Sequence, residues 1–164
     1  MNNDKYYAGI GSRSTPESIL EKFIEIASEL AVKGCILRSG GADGADLAFE
    51  YGCVQKDGKM EIFIPWANFN NNPSRLFNPT PEAFELSSKY HPYWHNLKQG
   101  AKRLHARNAH QILGLDLKTP VDFVICWTGL SGGTNQALRI AKSYKIPIFN
   151  FIDKLYTIKD ILGE

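Results

Sequence analysis

Three polar, glycine-rich turns each separate a short apolar segment from a segment with helical periodicity. These turns span residues 9–13, 39–46 and 128–135. The apolar segments before them are rich in β-branched and aromatic residues, which is typical of buried strands. Because parallel strands need a crossover connection, usually a helix, this alternation predicts an α/β fold. We expect a mostly parallel sheet of about five strands, flanked by helices.

The same patterns give approximate boundaries for these elements. We predict strands at residues 6–10, 35–37, 62–64, 121–127 and 146–149. We predict later helices over about residues 45–53, 81–86, 94–113 and 135–144. In the first helix Ser14 or Thr15 is the expected cap, Pro16 suits the first turn, and Gly34 ends it. Residues 65–81, rich in proline and asparagine, are predicted to form an irregular loop.

Composition restricts the class of protein. The 164 residues include 43% hydrophobic and 22% charged residues, with no linker or repeat, so we expect a single domain over residues 1–164. The formal net charge of +2 is small for a protein that holds nucleic acid mainly by neutralising phosphates. Nucleic acid is therefore not an expected partner.

Cysteine usage and the N-terminal sequence indicate a cytoplasmic protein. Cys35, Cys53 and Cys126 form no CxxC pair and are odd in number, so we expect buried thiols in a reducing compartment. The first residues lack the basic and apolar regions of a secretion signal, and no long apolar segment suggests a membrane span. No membrane partner is expected.

The three turns have the composition of phosphate-binding loops. If the strands are parallel, all three turns lie at the carboxyl edge of the sheet, where α/β folds bind ligands. Glycine allows close backbone approach, and the N–H groups of the following helix attract anions. Ser12, Ser39, Ser131 and Thr134 add hydroxyl donors. The alternative interpretation is that each turn is only a tight connection.

Charged residues beside these turns are candidate ligand contacts. Arg13 could hold a phosphate or carboxylate with both guanidinium nitrogens, or could be a solvated surface arginine. Asp43 and Asp46 stand at the start of a predicted helix. Asp46 either caps that helix and complements its dipole, or accepts a hydrogen bond from a ribose hydroxyl.

The remaining candidates lie outside the turns. Arg107 and Asn108 form either a helix-surface pair or a clamp over the ligand edge. Trp66 is either a core side chain or a platform for a base. His91 and His95 are four residues apart, but Pro92 separates them and no cysteine or acidic cluster is near in sequence, so we expect no metal site.

The motifs GIGSR, SGGADGADLAFEYG, ARNAHQILGL and SGGTNQALRIA occur in this order between about residues 6 and 149. This pattern resembles the Rossmann-like core of the DNA-processing protein A family. It is similar more broadly to the SLOG superfamily, which includes the lonely-guy phosphoribohydrolases. The resemblance implies a single Rossmann-like three-layer domain and a homodimer or higher homo-oligomer. It also implies a nucleotide ligand held by Gly11, Ser12, Arg13, Gly40, Gly41, Asp46, Gly132, Gly133 and Thr134, with Arg107 and Asn108 matching the arginine–asparagine pair of the DNA-processing proteins.

One departure from the pattern bears on activity. The lonely-guy enzymes carry PGGxGTxxE with a catalytic glutamate, whereas Ala137 stands here where that acid would be. We therefore expect a nucleotide-binding sensor or sequestering protein with no cofactor. The alternative is an enzyme that cleaves or transfers at the N-glycosidic bond of nucleoside 5′-monophosphates. There a carboxylate of Asp46, Asp43 or Glu17 would stabilise an oxocarbenium-like centre or position water. The third hypothesis is a module that binds single-stranded DNA.

Overall fold

A computed structural model describes residues 4–164 and confirms the α/β prediction; residues 1–3 of the predicted domain lie outside this range. In this described part of the chain, five parallel strands form one sheet in the order β3-β2-β1-β4-β5. The strands are β1 (Tyr6–Gly11), β2 (Ile36–Ser39), β3 (Met60–Ile62), β4 (Phe123–Trp127) and β5 (Ile148–Asn150). All five correspond to predicted apolar segments.

Within residues 4–164, six α-helices cover both faces of the sheet. They are α1 (Glu17–Val32), α2 (Ala45–Gln55), α3 (Pro81–Ser88), α4 (Gln99–Leu113), α5 (Thr134–Ser143) and α6 (Ile158–Leu162). Helices α1, α2 and α6 contribute to one buried apolar cluster, and α3, α4 and α5 to the other. The result is the predicted three-layer architecture. No helix between residues 4 and 164 has the length and apolar character needed to cross a bilayer.

The strand order positions the candidate site. After β1, the chain adds β2 and β3 on one side of β1, then returns to place β4 on the other side. Because crossovers are right-handed, this reversal moves α3, α4 and α5 to the opposite face. The connections after β1 and β4 therefore diverge at adjacent strands, with Gly11 paired to Trp127. Such a switch point leaves a crevice at the carboxyl edge of the sheet.

Several local boundaries differ from the sequence prediction by a few residues. Helix α4 begins at Gln99 rather than near Trp94, because Leu97 and Lys98 adopt extended backbone angles and separate it from a 3-10 turn at Trp94–Asn96. In α1 the cap position is Pro16, and Thr15 donates its hydroxyl to the Ser12 carbonyl instead of capping. Strand β3 lies two residues earlier than predicted.

Candidate functional site

A cavity of about 810 Å³ opens at the switch point, between the turns after β1, β2 and β4 and the side of α4. Its volume is within the usual range for small-molecule sites. Its wall includes Gly11, Ser12, Arg13, Asp43, Asp46, Phe69, Leu104, His105, Arg107, Asn108, Gln111, Ser131, Gly132, Gly133 and Thr134. Most of the predicted site residues are therefore brought together, and their roles as ligand contacts stay predictions.

Four of the predicted residues are not among the described residues that line this cavity: Ser39, Gly40, Gly41 and Trp66. Ser39 is fully buried and donates its hydroxyl to the Gly9 carbonyl at 2.6 Å, which ties β2 to β1. A Cβ atom at Gly40 would overlap the side chains of Arg107 and Gln111. Ser39 and Gly40 therefore lie behind the cavity wall, where they help to hold it in position.

Arg107 and Asn108 are buried, so they do not form a helix-surface pair. The Arg107 guanidinium donates to the Gly40 carbonyl. Its Nε atom also donates to Oδ1 of Asn108 at 3.2 Å. The Asn108 amide donates to the carbonyl of Gly133 at 3.2 Å and to Oε1 of Gln136 at 3.1 Å. The pair therefore connects the turn after β2 to the turn after β4 through α4.

Asp46 places a buried carboxyl group in the cavity wall. It does not cap α2, whose cap position is Gly44; instead it accepts from the backbone N–H groups of Ala42 and Gly11. Burial raises the pKa of Asp46 to about 6, and the positive charge of Arg107 and these hydrogen bonds limit the rise. Asp46 therefore titrates near neutral pH at the edge of the cavity.

The cavity also presents groups suited to an anion. Arg13 is exposed and lines it. Helices α2 and α5 begin at its edge, and neither has a side-chain cap hydrogen bond within the described residues. Without a side-chain cap, the positive end of each helix dipole is left available to a ligand. In α5 the N–H groups of Asn135 and Gln136 donate to the carbonyls of Gly132 and Gly133. Gly44 and Gly132 have φ of 87° and 111°, so each turn depends on glycine.

Sequence reasoning missed His105, which lines the cavity on α4. Its Nδ1 atom is buried and has no hydrogen-bond partner among residues 4–164, and its ring lies 4.6 Å from that of His91. Burial, followed by the neighbouring His91, lowers the pKa of His105 to about 4, so the imidazole is neutral at pH 7. The sequence could have pointed to His105, because it lies three residues before Asn108 and therefore on the same face of the helix.

Phe69 was also missed, because it lies within the irregular loop. Its side chain lines the cavity where we expected Trp66, which contacts Phe69 edge-on at 5.4 Å between ring centroids. Across residues 4–164, no three His, Cys, Asp or Glu side chains come close enough to hold a metal ion.

Comparisons with solved structures identify the fold. The chain is similar to the Moco carrier protein of Chlamydomonas rheinhardtii, with a TM-score of 0.59 and 16% identity over 91% of this chain and 76% of that one. It is also similar to DNA processing protein A of Helicobacter pylori, with a TM-score of 0.57 and 21% identity over 89% of this chain and 64% of that one. This chain therefore shares its fold with both proteins.

A third structure with the same fold is that of TM1055, with a TM-score of 0.55 and 19% identity over 88% of this chain and 72% of that one. The predicted superfamily resemblance is thus confirmed at the level of the fold. The chain spans less than two thirds of the length of DNA processing protein A. No protein-family model and no curated protein sequence matches it.

Proposed function

We propose that the cavity binds a nucleotide or a nucleotide-derived small molecule, such as a nucleoside phosphate or an ADP-ribose-like signal, and that the protein senses or sequesters it. The observation that carries this proposal is the meeting of Arg13 and two uncapped helix N-termini in one cavity of nucleotide size. This arrangement suits a phosphate group.

The position of Asp46 favours a ligand that carries a sugar next to the phosphate. Its carboxyl group lies in the wall beside the start of α2, where an ionised oxygen can accept from a ribose hydroxyl. The Asn108 side-chain amide donates to the Gly133 carbonyl and to Oε1 of Gln136. These two hydrogen bonds hold the turn after β4 in place. Loop positions fixed in this way reduce the ordering cost of binding. We also retain the proposal of a homodimer or higher homo-oligomer.

The raised pKa of Asp46 favours a second function, cleavage of the N-glycosidic bond of a nucleoside 5′-monophosphate. A carboxyl group that titrates near pH 6 can exchange a proton with a substrate or a water molecule under physiological conditions. Asp43 is the weaker candidate for this role, since Asn70 donates to its Oδ1 at 3.0 Å.

Nucleic acid also has to be tested as a ligand. DNA processing protein A of H. pylori binds single-stranded DNA and shares this fold, so the expectation against nucleic acid finds no support in the comparisons. Binding of that kind would weaken steeply with salt, with a log–log slope of roughly −0.7 for each phosphate contacted.

The deciding experiment incubates near-stoichiometric protein with nucleoside monophosphates, NAD and ADP-ribose, and analyses the filtrate by mass spectrometry before and after heat denaturation. We expect one compound to disappear from the filtrate and to return intact on heating. A free base or sugar phosphate formed beyond one equivalent would establish the enzyme instead. Retention of a single-stranded oligonucleotide, with no small molecule captured, would favour the DNA hypothesis.

Arg13→Ala tests whether the capture uses the proposed site. We expect it to weaken binding by tenfold or more, the loss typical of a charge-assisted phosphate contact of about 1.5–3 kcal/mol. Arg75→Ala is the matched control, because Arg75 is exposed and is not among the described residues lining the cavity. Equal affinities of the two variants would show that the anion binds elsewhere.

A further inference from the structure

Phe69 presents an aromatic ring to the cavity from a short 3-10 turn after β3, Phe69–Asn71. We propose that this ring packs against a planar heteroaromatic ring of the ligand, so that the site selects a nucleotide over the same sugar phosphate without its base. The inference rests on the proposed function, because it concerns the part of the ligand that the phosphate and sugar contacts leave unrecognised.

The Phe69 side chain is half-buried and supported from two directions. Trp66 contacts it edge-on, with the rings at 84° to one another. The Arg107 guanidinium carbon lies 5.7 Å from the Phe69 ring centroid. Arg107 also donates to the Gly40 carbonyl. The side chain that packs against the Phe69 ring is therefore the one that fixes the turn after β2.

The backbone around Phe69 is held in an unfavourable conformation. Asn68, Asn70 and Asn71 all have positive φ, between 53° and 60°. Asparagine tolerates this region better than most residues, but three such positions in four residues still carry a conformational cost. Strain of this kind persists only where surrounding contacts maintain it, and it concentrates at ligand sites.

Hydrogen bonds on both sides of Phe69 maintain this turn. The Asn70 amide donates to the Gly41 carbonyl and to Asp43 Oδ1, each at 3.0 Å. The Asn72 amide donates to the Glu50 carboxylate at 3.1 and 3.2 Å. The ring is therefore attached to the turn after β2 and to α2, the two elements that also carry Asp43 and Asp46.

The position of the ring matches the third part of a nucleotide. Arg13 and the helix N-termini suit the phosphate, Asp46 suits the sugar, and Phe69 gives the same cavity a rigid apolar face. An aromatic side chain contacts any base through its π-face, and such contacts depend little on base identity. We therefore expect Phe69 to favour the presence of a base rather than one particular base.

The test compares calorimetric titrations of AMP, GMP, CMP, UMP and ADP-ribose with titrations of ribose 5-phosphate. We expect Phe69→Ala to weaken the tightest of these nucleotides by roughly tenfold to a hundredfold, and ribose 5-phosphate by less than about threefold. Phe69→Tyr should retain nucleotide affinity, whereas Phe69→Leu, which keeps apolar bulk without a π-system, should lose most of it.

Phe77→Ala is the matched control, since Phe77 is an exposed phenylalanine in the same long loop and is not among the described cavity residues. It should leave both classes of ligand unchanged. Phe69→Leu, verified as folded by circular dichroism, covers the case in which Phe69→Ala does not fold. If Phe69 variants weaken nucleotide and ribose 5-phosphate equally, the aromatic contact is refuted while the proposed function stands. If the unmodified protein binds neither these ligands nor NAD, the proposed function itself fails.

Discussion

Asn108 on α4 donates its side-chain amide to the backbone carbonyl of Gly133, with 3.2 Å between the nitrogen and the oxygen. The neighbouring Arg107 donates to the Gly40 carbonyl. Two consecutive residues of one helix therefore hold two of the glycine-rich turns at a fixed separation. Both residues also line the cavity, so this connection is part of its wall.

Asn108→Ala should lower both stability and affinity. The substitution leaves the buried Arg107 Nε and Gln136 Oε1 without one partner each, and unsatisfied buried groups cost about 1–3 kcal/mol. We expect a loss of that size in urea denaturation, together with weaker nucleotide binding because the turn after β4 is released. Asn96→Ala, at an exposed site outside the cavity, is the control and should behave like the unmodified protein. An Asn108→Ala protein with unchanged affinity would show that the turn keeps its position without this contact.

Gly44→Ala should be more destabilising than Gly34→Ala, although both residues have φ near 86°. A Cβ at Gly34 meets nothing within 4 Å, so that variant carries only the backbone penalty of about 1–2 kcal/mol. A Cβ at Gly44 would lie 2.7 Å from the Ser12 carbonyl oxygen and 2.9 Å from Arg13 Cα. We expect an additional loss of about 1–3 kcal/mol from this overlap.

The two glycine variants also differ in their effect on binding. Gly44→Ala displaces the turn that carries Arg13, so it should weaken the nucleotide, whereas Gly34→Ala should not. The measurements are thermal denaturation and calorimetric titration of both proteins. Equal stabilities would mean that the turn after β1 moves away from residue 44 at no cost.

Asp46 should make the protein less stable as the pH rises from about 4 to about 6. Its pKa is about 6 in the folded protein against a reference of 3.8, so in this range the unfolded chain binds fewer protons. The penalty should be fully present above about pH 6 and should total about 3 kcal/mol. In urea denaturation, the unmodified protein should lose stability relative to Asp46→Asn over this window. A difference between the two proteins that does not change with pH would contradict the raised pKa.

His105 should stay neutral far below the pH at which an unperturbed imidazole is protonated. Its pKa is about 4 in the folded protein and 6.5 in the reference state, so acid favours the unfolded chain between these values. Two-dimensional ¹H–¹⁵N imidazole spectra, with the signal assigned by its loss in His105→Asn, should show the neutral form down to about pH 5. A midpoint near 6.5 would place the ring in solvent rather than in the cavity wall.

Much of the fold could be predicted because it depends on local patterns. The five apolar segments, the glycine-rich turns and the helical periodicity of α1 and α5 are each contained within a few neighbouring residues. Parallel pairing then places the turns after β1, β2 and β4 at one edge of the sheet. Boundaries such as the start of α4 were less predictable, since extended angles at Leu97 and Lys98 interrupt a segment whose composition still suits a helix.

Hydrophobic periodicity and glycine placement act over short distances, so they were enough to predict the α/β class, the parallel sheet and the convergence of Gly11, Arg13, Asp46 and Gly133. Long-range packing, in contrast, places Ser39 and Gly40 behind the cavity wall and places Phe69 and His105 in it. Those assignments depend on which side chains meet across the sheet. Burial, the pKa of Asp46 and the contacts of Arg107 are properties of that packing, which residues distant along the chain create together.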